Sequence, residues 1–280
     1  MRESSNPVFR SLPKEQQGGY AQFGTGAAGY GAQAVHADPY VAQQYPDQQQ
    51  TGVSRPLTID DVVTRTGITL AVVTAVAAVS YFMVDANQGL LFPLFLVGSL
   101  GGLGVLLLAM FGRKQDNPAI VMTYAAFEGL FLGSASYLFA NLVSTGGPAM
   151  IFQAVVGTLG VFFGMLVVYR TGAIRVTPKL TRMIVAGMFG VLALALVNIL
   201  FAVFTGNAPL TNGGPLAIGF SLLCIALAAF SFLIDFDAAD QMIRAGAPEK
   251  AAWGIALGLT VTLVWLYLEI LRLLSYFNND

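Results

Sequence analysis

The sequence predicts an all-α, polytopic membrane protein, with a bundle of seven transmembrane helices preceded by a disordered N-terminal tail. Three observations carry this prediction. The 280 residues are 56% hydrophobic and only 10% charged, whereas soluble domains average about 25% charged residues. Seven apolar runs are each long enough to cross a bilayer, which takes about 20 residues in a helix. Lys and Arg are concentrated in alternate loops between these runs, as in the cytoplasmic loops of membrane proteins.

The same composition excludes several kinds of site. The net charge of −1 gives no basic surface for nucleic acid, so no nucleic-acid partner is expected. Cys224 is the only cysteine and His36 is the only histidine, and His36 lies in the polar N-terminal segment. An internal disulfide and a His/Cys metal site are therefore excluded, and no resident cofactor is expected. Any bound metal would be a hard cation held by oxygen atoms, such as Ca²⁺ in transit.

The N-terminal segment, residues 1–61, is predicted to be a disordered cytoplasmic tail, and residues 62–280 form the transmembrane domain. The tail is rich in Gln, Gly, Ala, Tyr and Pro, and it has no apolar stretch that could build a core or act as a signal peptide. Two interpretations of it stay open. Either it is only a solvated segment, or its tyrosines bind a partner protein. These tyrosines are Tyr20, Tyr30, Tyr40 and Tyr45.

The seven spans follow in chain order. They are predicted at residues 66–84, 90–111, 118–142, 148–169, 183–204, 214–235 and 252–277. Basic residues precede the first span and follow the second, fourth and sixth spans, whereas the alternate loops contain none. The positive-inside rule therefore places the N terminus on the cytoplasmic side of the cell membrane and the C terminus outside.

Small residues in these spans predict close packing of the helices. Pairs of glycines four residues apart let two membrane helices approach closely. Such pairs are Gly98 and Gly102, Gly129 and Gly133, Gly160 and Gly164, and Gly254 and Gly258. In the sixth span, small and polar residues recur at steps of three and four, so they lie on one helix face that should point into the bundle. This stripe consists of Ala217, Ser221, Cys224, Ala228, Ser231 and Asp235.

The acidic residues within the spans are the candidate functional residues, because carboxylates are costly in hydrocarbon and usually have a partner or a task there. The stripe delivers Asp235 to the bundle interior at the inner end of the sixth span. Asp237 lies on a different face of the helix, and Asp240 lies a turn further towards the cytoplasm. We expect both to be solvated. A second stripe points Glu269 towards the same interior. It consists of Gly254, Gly258, Val261, Trp265, Glu269, Arg272 and Tyr276.

Several points about the buried acids stay open. Glu269 lies near the outer surface if the bilayer begins at Ala251, and near the midplane if it begins at about Gly258. Arg272 either extends to the outer headgroups or pairs with Glu269, three residues earlier on the same face. Glu128 lies about 13 Å into the third span, beside small residues that indicate an interior position. The structural alternative for all three acids is that they are protonated and only hydrogen-bond to a neighbouring helix.

Three motifs, taken in chain order, resemble those of the Bax inhibitor-1 family of membrane proteins. They are FEGLFLG at residues 127–133, DFD at residues 235–237 and LYLE at residues 266–269. The SNPVF start at residues 5–9 is similar to the prokaryotic branch. The resemblance covers residues 60–280 and implies a seven-helix bundle with the last helix near its centre. It also implies a pH-sensitive calcium leak through the bundle.

The resemblance further implies which residues gate this leak. In the family, one acid on each of the last two helices is taken to share a proton, and by motif these acids are Asp235 and Glu269. Here the second acid is Glu, where the better-known prokaryotic members have Asp. Two carboxyls close together in low dielectric do not both ionise easily, so one shared proton would bridge the helices and close the path. Loss of that proton would expose oxygen ligands for Ca²⁺. Glu128, Asp237 and Arg272 are further candidates to line or support the path.

Two other classes of function are alternatives to the calcium leak. One is a non-conducting stress or regulatory protein that modulates a membrane-anchored protease, or another membrane protein, through its tail. The other is an intramembrane enzyme, but the spans contain no His, and the sequence has no Gly-x-Ser-x-Gly elbow and no Walker loop. We therefore expect no enzymatic activity. The expected partners are the lipid bilayer, calcium ions and a protein bound through the tail.

Overall fold

The structure, a computed structural model, describes residues 55–142 and 147–278, and this part of the chain forms seven long helices. All seven are long and apolar enough to cross a membrane. Each coincides with one predicted span, so the seven-span prediction is confirmed. Most of the predicted tail, residues 1–54, lies outside the described residues. The helices are α1 (Ile59–Ala86), α2 (Leu91–Phe111), α3 (Pro118–Leu142), α4 (Gly147–Thr171), α5 (Pro178–Thr205), α6 (Pro215–Arg244) and α7 (Ala251–Phe277).

Helix α1 begins at Ile59, inside the predicted tail. Its first turn is closed by a capping box, in which the Thr58 hydroxyl accepts a hydrogen bond from the Asp61 amide at 3.3 Å. The Asp61 carboxylate accepts in turn from the Thr58 amide at 3.0 Å. These bonds satisfy backbone donors that have no partner within the helix. Helix α1 thus begins two residues before the boundary predicted between the tail and the transmembrane domain.

Helix α6 continues past its apolar run to Arg244, so Asp235 lies within the helix and not at its end. The extension is supported by side-chain pairs one turn apart on its surface. Gln241 donates to Asp237 at 2.6 Å, and Arg244 pairs with Asp240 at 2.8 Å. The helix thus continues about two and a half turns beyond the span predicted to end at residue 235.

Helix α7 lies at the centre of the bundle, as predicted. It packs against α1, α3, α4 and α6. Of its most apolar stretch, 67% is buried within the protein, against 11% for α4 and for α5, so these two helices present most of their surface to lipid. The largest core cluster joins α7 to α6 and includes Phe232, Phe236, Leu259, Leu263 and Leu266.

The glycine pairs on α2 and α3 lie at close helix contacts, as predicted. A Cβ added at Gly98 would collide with the α3 backbone at Phe131. One added at Gly133 would collide with the Ala77 carbonyl of α1. The prediction is wrong on α4 and in part on α7, because spacing alone does not say which helix face meets a neighbour. A Cβ added at Gly160, Gly164 or Gly258 would contact no other described residue within 4 Å.

We expect Gly133→Ala to lower the free energy of unfolding by about 2 kcal/mol, because the added methyl group overpacks the contact between α1 and α3. Gly164→Ala is the matched control. It adds the same methyl group to open space on α4, so it should leave stability unchanged or slightly raise it. Denaturant unfolding in detergent micelles measures both. Equal destabilisation by the two substitutions would contradict the close approach of α1 and α3.

Candidate functional site

The stripe predicted on the sixth span faces the bundle interior, and it lies along α7. Its members are buried except for Asp235, which is partly buried. The buried members are Ala217, Ser221, Cys224, Ala228 and Ser231. Hydrogen bonds connect the stripe to α7 near both ends, through Asp235 and through Ser221. The prediction that this face points inward is confirmed.

Asp235 is held by Thr262 of α7. The Thr262 hydroxyl lies 2.8 Å from Asp235 Oδ2 and 3.3 Å from the carbonyl oxygen of Gly258, one turn earlier. Along the helix axes, Asp235 is about 14 Å from Arg244 and Thr262 is about 16 Å from Ala251. This contact therefore lies near the middle of α7 and about a third of the way along α6 from its C-terminal end.

The Thr262 hydroxyl has a single proton. It can therefore donate a hydrogen bond to Asp235 or to the Gly258 carbonyl, but not to both at once. If Asp235 is ionised, the hydroxyl donates to the carboxylate. If Asp235 is protonated, the acid donates to the Thr262 oxygen, and the hydroxyl proton turns to the Gly258 carbonyl. The same three groups can thus form hydrogen bonds in either protonation state of Asp235.

Towards the far end of the stripe, Glu269 is paired with Arg272 on the same helix. Glu269 is 8% exposed, and Arg272 Nη2 lies 2.5 Å from its Oε2. Arg272 Nε also donates to Ser221 Oγ of α6 at 3.2 Å. The guanidinium lies over the Phe220 ring, 5.6 Å from its centroid, which is a cation–π geometry. The structure shows Arg272 in an ion pair with Glu269, which is one of the two roles predicted for it.

The two acids of the predicted gate therefore occupy separate contacts. Thr262, the partner of Asp235, precedes Glu269 by about 10 Å along α7. In the part of the chain that the structure describes, Asp235 bonds to Thr262 and Glu269 to Arg272, and no hydrogen bond joins the two acids. Sharing of one proton between them stays a prediction.

Asp237 and Asp240 lie outside the contact between α6 and α7. Asp237 accepts from the exposed side chain of Gln241. Asp240 pairs with Arg244 and accepts from the Tyr169 hydroxyl at 3.3 Å. The exposed side chains of Gln241 and Arg244 agree with the expectation that these two acids are solvated. Asp237 is therefore a useful reference for Asp235, two residues away on the same helix.

Glu128 has the predicted interior position, but it faces α2. Its Oε2 lies only 2.9 Å from the point that a Cβ at Gly102 would occupy, and Tyr124 lies beside its carboxyl group. The contact of α3 with α7 is made elsewhere, where the hydroxyls of Ser136 and Tyr267 are 2.7 Å apart. Glu128 is thus held at a different helix contact from Asp235 and Glu269.

Within residues 55–142 and 147–278, no three His, Cys, Asp or Glu side chains converge as ligands of a metal ion. Ca²⁺ takes six to eight oxygen ligands. Asp235 or Glu269 would therefore supply only part of its coordination, with water or backbone carbonyls supplying the rest. Such a site is suited to brief contact with a passing ion, and Ca²⁺ binding by these acids stays a prediction.

Sequence reasoning missed two groups of residues that make polar contacts in the structure. Thr262 sits in the apolar run VTLVW at residues 261–265, where its hydroxyl does not interrupt the pattern, so only its spacing from Gly258 could have drawn attention to it. The second group is a set of ion pairs where α1 meets the loop between α6 and α7, formed by Arg55, Asp61, Arg65 and Glu249. These residues are distant in sequence, and no local pattern connects them.

An apolar cavity of about 580 Å³ lies between α1, α3, α4 and α7. The Ser136 and Tyr267 hydroxyls lie in its wall, but neither Asp235 nor Glu269 lines it. The cavity is therefore separate from the contacts of the two acids.

Comparison with known proteins gives one result. A family model described as Bax inhibitor 1 like matches residues 6–279, nearly the whole chain. No curated protein matches the sequence significantly.

Proposed function

Because the chain belongs to the Bax inhibitor 1-like family, we propose that this integral membrane protein is a pH-sensitive calcium leak in which Asp235 is the proton-responsive residue. The single observation that carries the proposal is the contact of Asp235 of α6 with Thr262 near the middle of α7. A partly buried carboxyl group within an apolar helix bundle is a candidate functional residue by default.

The closed state corresponds to protonated Asp235. The acid then donates to Thr262, and Thr262 donates to the Gly258 carbonyl, so a neutral chain of hydrogen bonds joins α6 to α7. Hydrogen-bonded neutral groups are the low-energy arrangement in a medium with little water. This chain holds the two helices together and leaves no charge to attract an ion.

Loss of the proton opens the path. The ionised carboxylate has several acceptor positions, whereas Thr262 offers one hydrogen. The remaining positions need water or a cation, so both are drawn between α6 and α7. Carboxylate oxygens are ligands that Ca²⁺ prefers, and the predicted direction is therefore greater Ca²⁺ passage at higher pH.

Glu269 has a different role in this proposal. Its carboxylate is a second cation ligand further along α7, and Arg272 covers it in the closed conformation. The separation of about 10 Å between the two contacts favours Asp235 and Glu269 acting in sequence along the path, over the sharing of one proton. Ser221 fixes Arg272 from the α6 side, so a movement of α6 away from α7 would also release Glu269.

Purified protein in liposomes loaded with a calcium dye tests the proposal. Ca²⁺ entry should exceed that of empty liposomes, and it should be greater at pH 8 than at pH 6. Ca²⁺ entry no greater than in protein-free liposomes at either pH would show that the protein is not a calcium leak.

A second candidate function is a non-conducting regulator of a membrane-anchored protease or another partner protein. The observation that favours it is the docking of Leu57 on the loop between α6 and α7, which connects the N-terminal segment to the core of the bundle. Deletion of residues 1–54 separates the two functions. A leak should retain its Ca²⁺ entry, whereas a regulator that acts through the tail should lose its partner.

A further inference from the structure

The segment immediately before α1 forms a short antiparallel contact with the α6–α7 loop, residues 245–250. The Leu57 amide donates to the Ala247 carbonyl at 2.8 Å, and the Glu249 amide donates to the Arg55 carbonyl at 3.0 Å. Pro56 and Pro248 lie opposite each other between these bonds. Two backbone hydrogen bonds thus connect segments that are nearly two hundred residues apart in sequence.

Four charged side chains surround this contact and form a closed set of ion pairs. Arg55 pairs with Asp61 at 2.6 Å and with Glu249 at 3.5 Å. Arg65 pairs with Asp61 at 3.2 Å and also with Glu249. Asp61 and Glu249 raise the pKa of Arg55. Such a network fixes geometry better than isolated surface pairs, whose contribution is small.

Leu57 anchors the same segment in the core. It is 3% exposed and belongs to the cluster formed with Ala239 of α6 and with Ala251 and Ala252 of α7. Burial of this leucine side chain removes apolar surface from water and so stabilises the contact. The segment is therefore bound by backbone hydrogen bonds, by charge and by an apolar anchor, all directed at the ends of α6 and α7.

We propose that residues 55–57 act as a regulatory strap that fixes the connected ends of α6 and α7 to α1 and restrains their separation. The effect of the strap on Ca²⁺ passage rests on the proposed function, whereas its effect on the α6–α7 loop does not. Opening at Asp235 requires α6 and α7 to move apart, and the strap contacts the loop through which that movement would be transmitted. Because residue 54 adjoins Arg55, a partner that pulls on the N-terminal segment would act directly on the strap.

A reversible disulfide across the contact tests the strap. In an antiparallel pair, opposite Cα atoms are about 4.5–5.5 Å apart, which lies within the range of about 4.4–6.8 Å that a disulfide requires. Pro56→Cys and Pro248→Cys are combined with Cys224→Ala, which removes the only native cysteine. In liposomes at pH 8, oxidation should lower Ca²⁺ entry several-fold and reduction should restore it. The two single-cysteine variants should not respond.

Failure of the two cysteines to cross-link would overturn the docking. Where Ca²⁺ entry exceeds that of protein-free liposomes, equal entry before and after complete cross-linking would overturn the restraint. Hydrogen exchange of the Leu57 and Glu249 amides, the two donors of the contact, reports on the strap without conduction. Combined Arg55→Gln and Glu249→Gln substitutions should raise their exchange rates on the order of tenfold, because local opening becomes easier. Lys250→Gln is the matched control, since Lys250 makes no ion pair among the described residues.

Hydrogen exchange and Ca²⁺ entry test the strap and the leak independently. If no variant passes Ca²⁺ but exchange rises only in the Arg55 and Glu249 variant, the leak is wrong and the strap stands as a restraint on the loop. If exchange is the same in that variant, in Lys250→Gln and in the wild type, the strap is wrong whatever the flux.

Discussion

Replacing Arg272 by methionine is expected to lower the free energy of unfolding by about 3 kcal/mol, because it leaves a buried carboxylate without its cation. Glu269 is 8% exposed, and Arg272 is its ion-pair partner at 2.5 Å. Methionine retains much of the apolar volume of arginine, so the change removes mainly the charge and the bond to Ser221. Denaturant unfolding in detergent micelles measures the effect.

Two controls make this expectation specific. Arg244→Met removes an arginine from an ion pair of similar length, 2.8 Å, on a side chain that is 78% exposed, and such surface pairs contribute about 0–1 kcal/mol. Combining Glu269→Gln with Arg272→Met should recover much of the lost stability, since no unpaired charge then remains. Similar losses for Arg272→Met and Arg244→Met would show that the Glu269–Arg272 pair is not buried as the structure has it.

Replacing Asp235 by asparagine is expected to abolish the pH dependence of Ca²⁺ entry and to hold entry at pH 8 to the low level of pH 6. Asparagine has nearly the shape of aspartic acid and can hydrogen-bond to Thr262, but it has no proton to lose. It therefore imitates the protonated, closed state at every pH. Flux assays at the two pH values, with the same amount of reconstituted protein, measure the effect.

Asp237→Asn is the matched control for this prediction. It makes the same chemical change two residues away on α6, at a carboxylate whose partner is the exposed Gln241. Its ratio of entry at pH 8 to entry at pH 6 should equal that of the wild type. If Asp237→Asn loses the pH dependence and Asp235→Asn retains it, the proton-responsive residue has been assigned to the wrong acid.

Much of the architecture could be predicted from sequence because it depends on local patterns. Runs of about 20 apolar residues indicated the seven helices, and the alternation of small with large side chains indicated the inward face of α6 that carries Ser221 and Asp235. Because Glu269 and Arg272 are three residues apart on one helix face, their spacing predicted an ion pair as one of two alternatives for Arg272. Each of these features is encoded within one or two helical turns.

The remaining features depend on how helices align, which no local pattern encodes. Helix α6 continues beyond its apolar run to Arg244, so Asp235 lies within the helix and not at its end. The pairing of Asp235 with Thr262 follows from the relative register of α6 and α7. Likewise, Gly133 lies at a close contact and Gly164 does not, although both belong to pairs with identical spacing. The strap at residues 55–57 joins distant segments and has no sequence signature.

The most direct test of the account is infrared spectroscopy of the protonated-carboxyl band in membranes at pH 6 and pH 8, compared between the wild type and Asp235→Asn. We predict that the wild type loses part of this band between the two pH values, that Asp235→Asn lacks that change, and that Glu269→Gln retains it. The same pH-dependent change in Asp235→Asn as in the wild type would contradict the central claim that Asp235 holds the proton that closes the path.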